Sequence, residues 1–249
     1  MCKDYRGEKI MDVYQINSMS GTAKYAGRGI VTGLSENGKY AACAYFIMGR
    51  SANSRNRVFT RRDNGDIYTA PADDSKVEDP SLIIYAALRK FENKLIVTNG
   101  DQTDTIYNTL ACGGTFEGAL ETRKFEPDEP NFTPRISSML DFENGFSYKM
   151  SILKSADPTG GGCNRFTFSY SPCAGVGHFI HTYMDDGNPL PTFTGEPERV
   201  HIPDDIDSLT NEIWDNLDND NKISLYVRYT DLENGKISEK LINKYERIQ

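Results

Sequence analysis

Apolar segments interrupted by turn residues predict three β-hairpins in this chain. Each pair of segments flanks an Asn-Gly dipeptide, which supplies the positive φ angles of a tight turn. The pairs are residues 29–35 with 40–48, 57–60 with 66–69, and 223–229 with 237–242. Residues 41–48 are apolar almost throughout, which favours a strand covered on both faces. Further strands are predicted at residues 94–98, 146–153, 166–170 and 178–183.

Helical spacing of apolar residues predicts several helices. The first follows Asp79, a good N-cap, and Pro80, which suits the first helical position. Its apolar positions are Ile83, Ile84, Ala87, Leu88 and Phe91, which share one helical stripe. The other predicted helices run from residue 103 or 104 to Gly113-Gly114, over residues 115–123, and through Ile206, Leu209, Ile213 and Leu217.

The order of these elements predicts an α+β fold. Strands and helices alternate too irregularly for a doubly wound parallel sheet, so largely antiparallel sheets with helices packed outside fit better. The chain of 249 residues shows no internal repeat, low-complexity tract or linker. We therefore expect a single domain over residues 1–249.

Charge and composition exclude several classes of protein. Lys and Arg number 28 against 36 Asp and Glu, a net charge of −8, so a diffuse basic surface for nucleic acid is not expected. The apolar stretches are shorter than the roughly 20 residues that cross a bilayer. Residues 1–24 contain acidic positions and no long apolar core, unlike a secretory signal. Five cysteines without a CxxC pair predict a reduced, cytoplasmic protein with no disulfide framework.

No cluster of side chains predicts a metal site. His178 and His181 are three residues apart, so on a strand they point to opposite faces. Residues 216–222 are rich in Asp and Asn but lack the glycine and the final glutamate of a calcium loop. The glycine-rich motifs of dinucleotide and P-loop sites are missing as well. We expect neither a metal nor a cofactor.

The segment 48–57 contains the strongest candidate for anion binding. Arg50, Arg55 and Arg57 follow an apolar strand and are interspersed with Ser and Asn side chains. Guanidinium groups form bidentate hydrogen bonds to phosphate, and the neighbouring hydroxyl and amide groups add neutral ones. A solvated basic loop explains the spacing equally well. Arg28 can reach the same ligand only if its strand lies alongside.

Two other segments place polar residues where a ligand could be held. Residues 99–104 leave a strand and enter a helix, where backbone N–H groups attract anions, although a helix cap at Thr103 or Asp104 is the more ordinary explanation. Residues 122–135 contain Glu126, Asp128 and Glu129 between prolines that fix an extended path. A desolvated carboxylate beside an arginine can act as a base, and an acidic surface loop is the alternative.

The N-terminus offers a different chemistry. Removal of Met1 would expose Cys2, whose own α-amino group could serve as the base for nucleophilic attack by the thiol. The residues that follow are mostly polar, so we favour a frayed terminus with an incidental cysteine over an N-terminal nucleophile.

Five short stretches between residues 25 and 140 occur in an order that is specific when taken together. They are Tyr25-Ala-Gly-Arg28, Ala44-Tyr45 with Arg50-Ser51 through Arg55, Asp79-Pro80 to Tyr85, Asn99-Gly100 with Thr103 to Ile106, and Glu126 with Thr133 to Ile136. In this combination the chain resembles the archaeal-type IMP cyclohydrolases and their bacterial relatives. Beyond residue 140 the resemblance is one of continuity only.

The resemblance implies a fold and an activity. The implied fold is a four-layer αββα sandwich like that of the N-terminal-nucleophile hydrolases, with residues 1–24 as an N-terminal extension. That extension puts Cys2 away from the place of a processed nucleophile. The implied reaction is closure of 5-formamidoimidazole-4-carboxamide ribotide to IMP with loss of water, in purine nucleotide synthesis. It requires no metal or cofactor.

The resemblance also implies roles for individual residues. The implied catalytic residues are Glu126, Tyr85 and Arg55. Glu126 is expected to deprotonate or orient the carboxamide, with Glu129 as the second choice, and Tyr85 is expected to meet the formamide oxygen. Arg28, Arg50 and Ser51, together with Arg55, are expected to bind the 5′-phosphate. Asn99, Thr103 and Asp104 are expected to hold polar atoms of the base or ribose. Glu129 is also counted among the substrate-binding residues, and Arg135 is expected to orient a carboxylate.

The expected partner is therefore a small purine ribotide rather than nucleic acid or a membrane, and a homo-oligomer is compatible with such a sandwich. Two other functions stay open from the sequence. One is an amidohydrolase that uses Cys2. The other is a purine-nucleotide-binding protein on the same scaffold that has no catalytic activity.

Overall fold

Two β-sheets form most of the described part of the protein. A computed structural model describes Tyr14, residues 24–77 and residues 84–247. The strands are β1 (Arg28–Leu34), β2 (Tyr40–Met48), β3 (Val58–Arg61), β4 (Ile67–Ala70), β5 (Ala86–Phe91), β6 (Lys94–Thr98), β7 (Arg135–Asp141), β8 (Ser147–Ser155), β9 (Cys163–Tyr170), β10 (Val176–His181), β11 (Glu198–His201), β12 (Lys222–Asp231) and β13 (Ile237–Asn243). The helices are α1 (Ala52–Arg55), α2 (Gln102–Ala111), α3 (Phe116–Glu121) and α4 (Ile206–Asn216), with a 3-10 turn at Asp74–Lys76.

The strand order separates the two sheets clearly. One sheet has six strands in the order β11-β10-β1-β2-β12-β13, and the other has seven strands, β3 to β9, in sequence order. The pairings between these strands are antiparallel. The predicted α+β class with largely antiparallel sheets is therefore confirmed.

Apolar side chains fill the space between the sheets and under the helices. Tyr45 of the six-stranded sheet and Ile152 of the seven-stranded sheet belong to one buried cluster. Leu209 and Ile213 of α4 pack against residues of the six-stranded sheet in a second cluster. Ile106 of α2 packs with α3 against the seven-stranded sheet in a third. Burial of this apolar surface is the main term that stabilises the layers.

The three predicted hairpins are confirmed. Gly38, Gly65 and Gly235 lie in the turns of the β1–β2, β3–β4 and β12–β13 hairpins with φ angles of 72°, 84° and 73°. Glycine adopts this left-handed conformation without a steric penalty. The strands predicted near residues 94, 146, 166 and 178, and the helices predicted near residues 103, 115 and 206, are also present, with ends shifted by a few residues.

The helix predicted from Asp79 to Phe91 is wrong where the structure describes it. Ala86–Phe91 forms β5, which pairs with β4 and β6. Ala86 and Ala87 are adjacent and both buried, so both faces of this strand are covered. Such a strand has a continuous apolar run, which does not distinguish a strand from a helix. Asp79 and Pro80 lie outside the described residues.

The sequence patterns do not predict β7, β11 or α1. β7 follows a proline-rich loop and pairs with β6 and β8 in the middle of the seven-stranded sheet. β11 pairs with β10 at the end of its sheet, and Val200 is its one apolar residue. Short edge strands of this kind carry little periodic signal.

Two further findings concern the cysteines and the helices. Cys173 is disulfide-bonded, whereas Cys43, Cys112 and Cys163 are free. The expectation of a chain without disulfides is therefore wrong at Cys173, because disulfide pairing depends on which cysteines folding brings together and not on their spacing in sequence. Within the described ranges, no helix is long and apolar enough to cross a membrane.

Candidate functional site

A polar cleft of about 530 Å³ opens at one end of the two sheets. Its walls come from the start of β1, the segment between β2 and β3, the loop 126–133 and the segment after β10. We call this the arginine cleft, because Arg28, Arg50 and Arg57 all line it. Glu126 and Asp128 line it as well, so cations and carboxylates meet in one concave site. Convergent polar groups in a cleft of this size are typical of small-molecule sites.

A tight backbone contact places Arg28 at the cleft. Gly27 has a φ angle of 76°, and a Cβ atom there would lie 2.2 Å from Thr182 Oγ1. Glycine is therefore required at this position. The Gly27 carbonyl accepts a hydrogen bond from the Met48 N–H at 2.7 Å, and the Arg28 N–H donates to Thr182 Oγ1 at 3.1 Å. The Tyr25-Ala-Gly-Arg28 motif is thus anchored to β2 and to the end of β10.

Arg28 and Glu126 form a buried ion pair across the cleft. Arg28 Nη2 lies 3.2 Å from Glu126 Oε1 and 3.1 Å from Oε2. The two residues are 7% and 5% exposed. Burial raises the pKa of Glu126 above its usual value, while the guanidinium groups of Arg28 and Arg135 oppose that shift. A desolvated carboxylate of this kind can accept a proton from a bound molecule.

The rim of the cleft carries Arg50 and Ser51. Ser51 caps the single turn α1, because its side-chain oxygen accepts a hydrogen bond from the Ser54 N–H. Arg50 donates to the Asp186 carboxylate and, at 2.8 Å, to the Gly187 carbonyl. Its guanidinium carbon lies 5.1 Å from the centre of the Tyr25 ring. These contacts hold a partly exposed cation at the mouth of the site.

Arg57 lies deeper in the cleft than the sequence pattern suggests. It is 7% exposed, and its Nε–H has no hydrogen-bond partner among the described residues. The Nε–H of Arg28 is also without a partner in this part of the chain. Buried donors are normally satisfied, so these two N–H groups, like those of Arg89 and Arg135, are exceptions within the described residues.

The loop 126–133 is closed by its own hydrogen bonds. The Glu126 N–H donates to the Thr133 carbonyl at 2.9 Å. The Asp128 carboxylate accepts from the Thr133 N–H at 2.7 Å and also from the Thr133 hydroxyl. The Thr133 hydroxyl in turn lies 2.5 Å from the hydroxyl of Tyr183. This network fixes the position of Glu126 on the cleft wall.

Arg135 lies against Gly100 and is held there by contacts with the start of α2. Arg135 Nη1 donates to Gln102 Oε1 and lies 2.7 Å from Asp101 Oδ1. A Cβ atom on Gly100 would come within 2.5 Å of Arg135 Nη1 and 3.6 Å of Glu126 Oε1. Gly100 therefore permits the close approach of the β6–α2 turn to Arg135.

Two residues expected to bind the substrate form hydrogen bonds with other residues of the protein. Asn99 donates to the Pro134 carbonyl at 2.8 Å and accepts from the Ile136 N–H at 2.9 Å. Thr103 Oγ1 lies 2.7 Å from Thr98 Oγ1 at the start of α2. These residues tie β6 and α2 to the loop before β7.

Three other expected residues lie away from the cleft wall. Asp104 accepts from Arg89 at 2.7 Å. Arg55 donates to the Gly49 carbonyl and to Asn221 Oδ1, each at 3.1 Å. Glu129 is exposed in the loop that precedes Pro130. Of the expected site residues, the structure brings together Arg28, Arg50, Ser51 and Glu126 in the arginine cleft.

Tyr85 lies in the buried layer behind the cleft. Its hydroxyl is 2.8 Å from the Tyr45 hydroxyl. Burial raises the pKa of Tyr85, while the charges of Arg57 and Arg28 oppose the shift. It precedes β5 rather than following a helix start, because the predicted helix is replaced by a strand. Tyr85 is thus a neutral hydroxyl close to two arginines of the site.

The other possible sites bring together fewer groups that could bind a ligand or react with it. Among the residues that the structure describes, no group of His, Cys, Asp and Glu side chains is arranged to hold a metal ion. Cys2 lies outside the described residues. A second cleft of about 440 Å³ at the opposite end of the strands is lined by Lys94 and Arg228. Lys94 there pairs with Asp141 and Glu143.

Further residues line the arginine cleft without a role implied by the resemblance. Arg57 belongs to the arginine-rich candidate segment and Asp128 to the carboxylate-rich one. Thr133 lies in the fifth motif of the resemblance, and Tyr183 carries no local signal, since a tyrosine after a strand is ordinary. Only the contact between loop 126–133 and the end of β10 shows that they belong to the site.

Comparison with known proteins agrees with the resemblance noted in the sequence. Residues 25–235 match a family model described as "IMP cyclohydrolase-like protein". A protein from Methanopyrus kandleri named IMP cyclohydrolase is 35% identical over 123 residues, which are 48% of this chain and 60% of that protein.

Two other archaeal proteins with the same name show similar likeness. The one from Methanocaldococcus jannaschii is 30% identical over 119 residues, which are 47% of this chain and 57% of that protein. The one from Methanococcus maripaludis is 29% identical over 126 residues, which are 49% of this chain and 61% of that protein. The alignments thus span about three fifths of the length of these relatives.

Proposed function

The chain belongs to the IMP cyclohydrolase-like protein family, and from this membership we propose that it closes 5-formamidoimidazole-4-carboxamide ribotide to IMP. In this reaction the carboxamide nitrogen forms a bond to the formyl carbon, and the bond from that carbon to the formyl oxygen breaks. One hydrogen from the carboxamide nitrogen and one from the formamide nitrogen leave with the oxygen as water.

The observation that carries the proposal is the buried Glu126–Arg28 pair in a cleft with unpaired guanidinium donors. Arg28 contacts both Glu126 oxygens, and the Nε–H groups of Arg28 and Arg57 lack partners within the described residues. The proposed substrate carries a phosphate that needs cations and an amide that needs a proton acceptor. One cleft offers both kinds of group.

Glu126 is the proposed base. It accepts the proton of the carboxamide nitrogen as that nitrogen attacks, and its raised pKa makes it a stronger base than an ordinary carboxylate. Arg28 orients the carboxylate and stabilises charge that develops on the formyl oxygen. Tyr85 is the proposed neutral donor to the same oxygen. Both reacting groups belong to one molecule, so orienting them supplies much of the rate enhancement.

Arg50, Ser51 and Arg57 are the proposed phosphate ligands. All three line the arginine cleft, and guanidinium groups bind phosphate through charge-assisted hydrogen bonds. Arg55 is assigned a supporting role, because its hydrogen bonds to Gly49 and Asn221 hold the segment that carries Arg50. Asn99, Thr103 and Arg135 are assigned to the framework that holds the site, whereas Asp104 and Glu129, which lie away from the cleft wall, are assigned no contact with the ribotide.

The proposal includes the finer features that the family implies. These are a four-layer αββα sandwich of the N-terminal-nucleophile type and a single domain with an N-terminal extension. A cytoplasmic location, expected from the cysteine usage, is part of the proposal, and a homo-oligomer is compatible with such a sandwich. The apolar clusters under α4 and under α2 and α3 support the layered arrangement. A cytoplasmic location has to accommodate the disulfide at Cys173.

Direct conversion tests the function. We expect the purified protein to turn over the formamido ribotide, with IMP followed by absorbance and identified by chromatography. Glu126→Gln is expected to lower kcat by about 100-fold or more. Glu129→Gln, the same change at an exposed position of the same loop, is expected to retain turnover. The opposite result would transfer the role of base to Glu129.

Binding without conversion distinguishes the alternatives. A thermal shift with IMP combined with no ring closure would identify a nucleotide-binding protein without catalytic activity. A Cys2→Ala protein with full activity would eliminate an N-terminal cysteine nucleophile. Cys2 lies outside the described residues, so the arginine cleft itself lends no support to that amidohydrolase.

A further inference from the structure

A short chain of hydrogen bonds runs from the loop 126–133 into the arginine cleft. The Asp128 carboxylate accepts from the Thr133 N–H and from the Thr133 hydroxyl. The Thr133 hydroxyl lies 2.5 Å from the Tyr183 hydroxyl. All three residues line the cleft, and both Thr133 and Tyr183 are buried. The chain therefore ends at a phenol on the wall of the site.

The direction of each hydrogen bond follows from which groups can donate. A carboxylate only accepts, so the Thr133 hydroxyl donates its one hydrogen to Asp128. The Thr133 oxygen must then accept from Tyr183, whose hydroxyl hydrogen is committed to that bond. Burial raises the pKa of Tyr183 well above its usual value, so the phenol keeps this hydrogen. What Tyr183 offers a ligand is an oxygen lone pair and not a donor.

We propose that Tyr183 is a specificity-determining residue whose oxygen accepts a hydrogen bond from an N–H or O–H donor of the bound ribotide, and that Asp128 and Thr133 are positioning residues that fix this polarity. The identity of the ligand rests on the proposed function. Tyr183 lines the same cleft as Arg28 and Glu126, the pair assigned to the carboxamide. The matching donor on the ribotide is therefore the carboxamide N–H.

Because the Tyr183 oxygen can only accept a hydrogen bond, the cleft is expected to distinguish a carboxamide from a carboxylate. A ribotide with a carboxylate in place of the carboxamide presents only acceptors, and Tyr183 has no hydrogen to give it. Leaving polar groups opposed and unpaired in a buried site is costly, and sites of this kind reject the wrong partner strongly. The cleft is thus expected to prefer the 4-carboxamide to the 4-carboxylate, although Arg28 by itself would favour the anion.

The test is calorimetric binding of two probes, 5-aminoimidazole-4-carboxamide ribotide and the matched 4-carboxylate ribotide. We expect the wild-type protein to bind the carboxamide about tenfold or more tightly than the carboxylate, the order of one buried hydrogen bond. Thr133→Ser keeps the hydroxyl and the preference. Thr133→Val frees the Tyr183 hydroxyl to donate, so the preference falls toward unity. Tyr183→Phe weakens binding of the carboxamide.

Asp128→Ala provides a second route if Thr133→Val does not fold. It releases the hydrogen of Thr133, which can then be donated to Tyr183, and the preference again falls. If Asp128 and Thr133 had a purely structural role, the substitutions would weaken binding of both probes equally and leave the ratio of the two affinities unchanged. An unchanged ratio in Thr133→Val, or in Asp128→Ala where that variant replaces it, would overturn the inference, and so would a wild-type protein that binds neither probe.

The same measurements separate this inference from the proposed function. If the probes are discriminated and the variants lose the discrimination, but no IMP forms, the recognition by Tyr183 stands and the catalytic proposal fails. If IMP forms while the variants keep the wild-type ratio, the catalytic proposal stands and the role of Tyr183 fails.

Discussion

Arg57 and Arg55 allow a sharp test of which arginine holds the phosphate. The two residues are separated by one position in the sequence but have different surroundings. Arg57 is 7% exposed, lines the arginine cleft and has an unpaired Nε–H. Arg55 donates to Gly49 and Asn221, each at 3.1 Å. Replacing each with alanine should therefore affect different quantities.

The magnitudes follow from these contacts. A hydrogen bond between a charged donor and phosphate contributes about 1.5–3 kcal/mol, so Arg57→Ala should raise the Kd for IMP by about 10- to 150-fold. Arg55→Ala removes two hydrogen bonds within the protein and should lower the free energy of unfolding by about 1–3 kcal/mol. We expect it to change IMP affinity much less than Arg57→Ala does.

Calorimetry with IMP and urea denaturation measure the two effects, with inosine as the control ligand that lacks a phosphate. The loss in Arg57→Ala should be large for IMP and small for inosine. The reasoning is refuted if Arg55→Ala weakens IMP binding as much as Arg57→Ala does while leaving the free energy of unfolding unchanged. Equal losses for IMP and inosine in Arg57→Ala would also refute it, because the phosphate would then not be the group recognised.

Two further predictions concern pH. In the pH profile of kcat, the acid limb should lie at higher pH for Arg28→Met than for the wild type. Burial raises the pKa of Glu126 and Arg28 opposes that rise, so loss of the guanidinium group raises this pKa further. The limb should move little in Arg28→Lys, and an unmoved limb in Arg28→Met would contradict Glu126 as the base. Burial lowers the pKa of His178 to about 4, so the unfolded chain binds more protons between that value and its ordinary 6.5. Stability is therefore lost as the pH falls through this window, by about 2 kcal/mol after discounting for the partial exposure of the ring. Urea denaturation at pH 7 and pH 4.5 should show less of this loss in His178→Phe, and an identical loss would contradict the argument.

The hairpins and the late helix were predictable because their signals are local. Asn37-Gly38 sits at the turn with the positive φ that its type favours, and Leu209 and Ile213 repeat at helical spacing on the buried side of α4. β5 was not predictable in the same way. Its adjacent alanines are buried on both faces, and that burial depends on the neighbouring layers rather than on the segment itself.

The same distinction between local patterns and tertiary contacts applies to the site. Four residues expected from short motifs in the sequence line the arginine cleft: Arg28, Arg50, Ser51 and Glu126. Tyr183 and Thr133 were assigned no role from the sequence, because 50 positions separate them and their contact forms only when the end of β10 meets the loop 126–133. Asn99 and Thr103 also lie near the site, but their side chains are used to hold its framework.

The amino-acid sequence by itself determined the turns, most strands and helices, the acidic charge balance and the residue types available for binding an anion and accepting a proton. These depend on backbone conformations and apolar spacing within a few residues. Tertiary structure decided which arginines line the cleft, which carboxylate is desolvated and which phenol meets Thr133. Arg28 and Glu126 are 98 positions apart and meet at 3.1 Å. Their meeting, and the burial that shifts the pKa of Glu126, result from packing one sheet against the other, which no local pattern encodes.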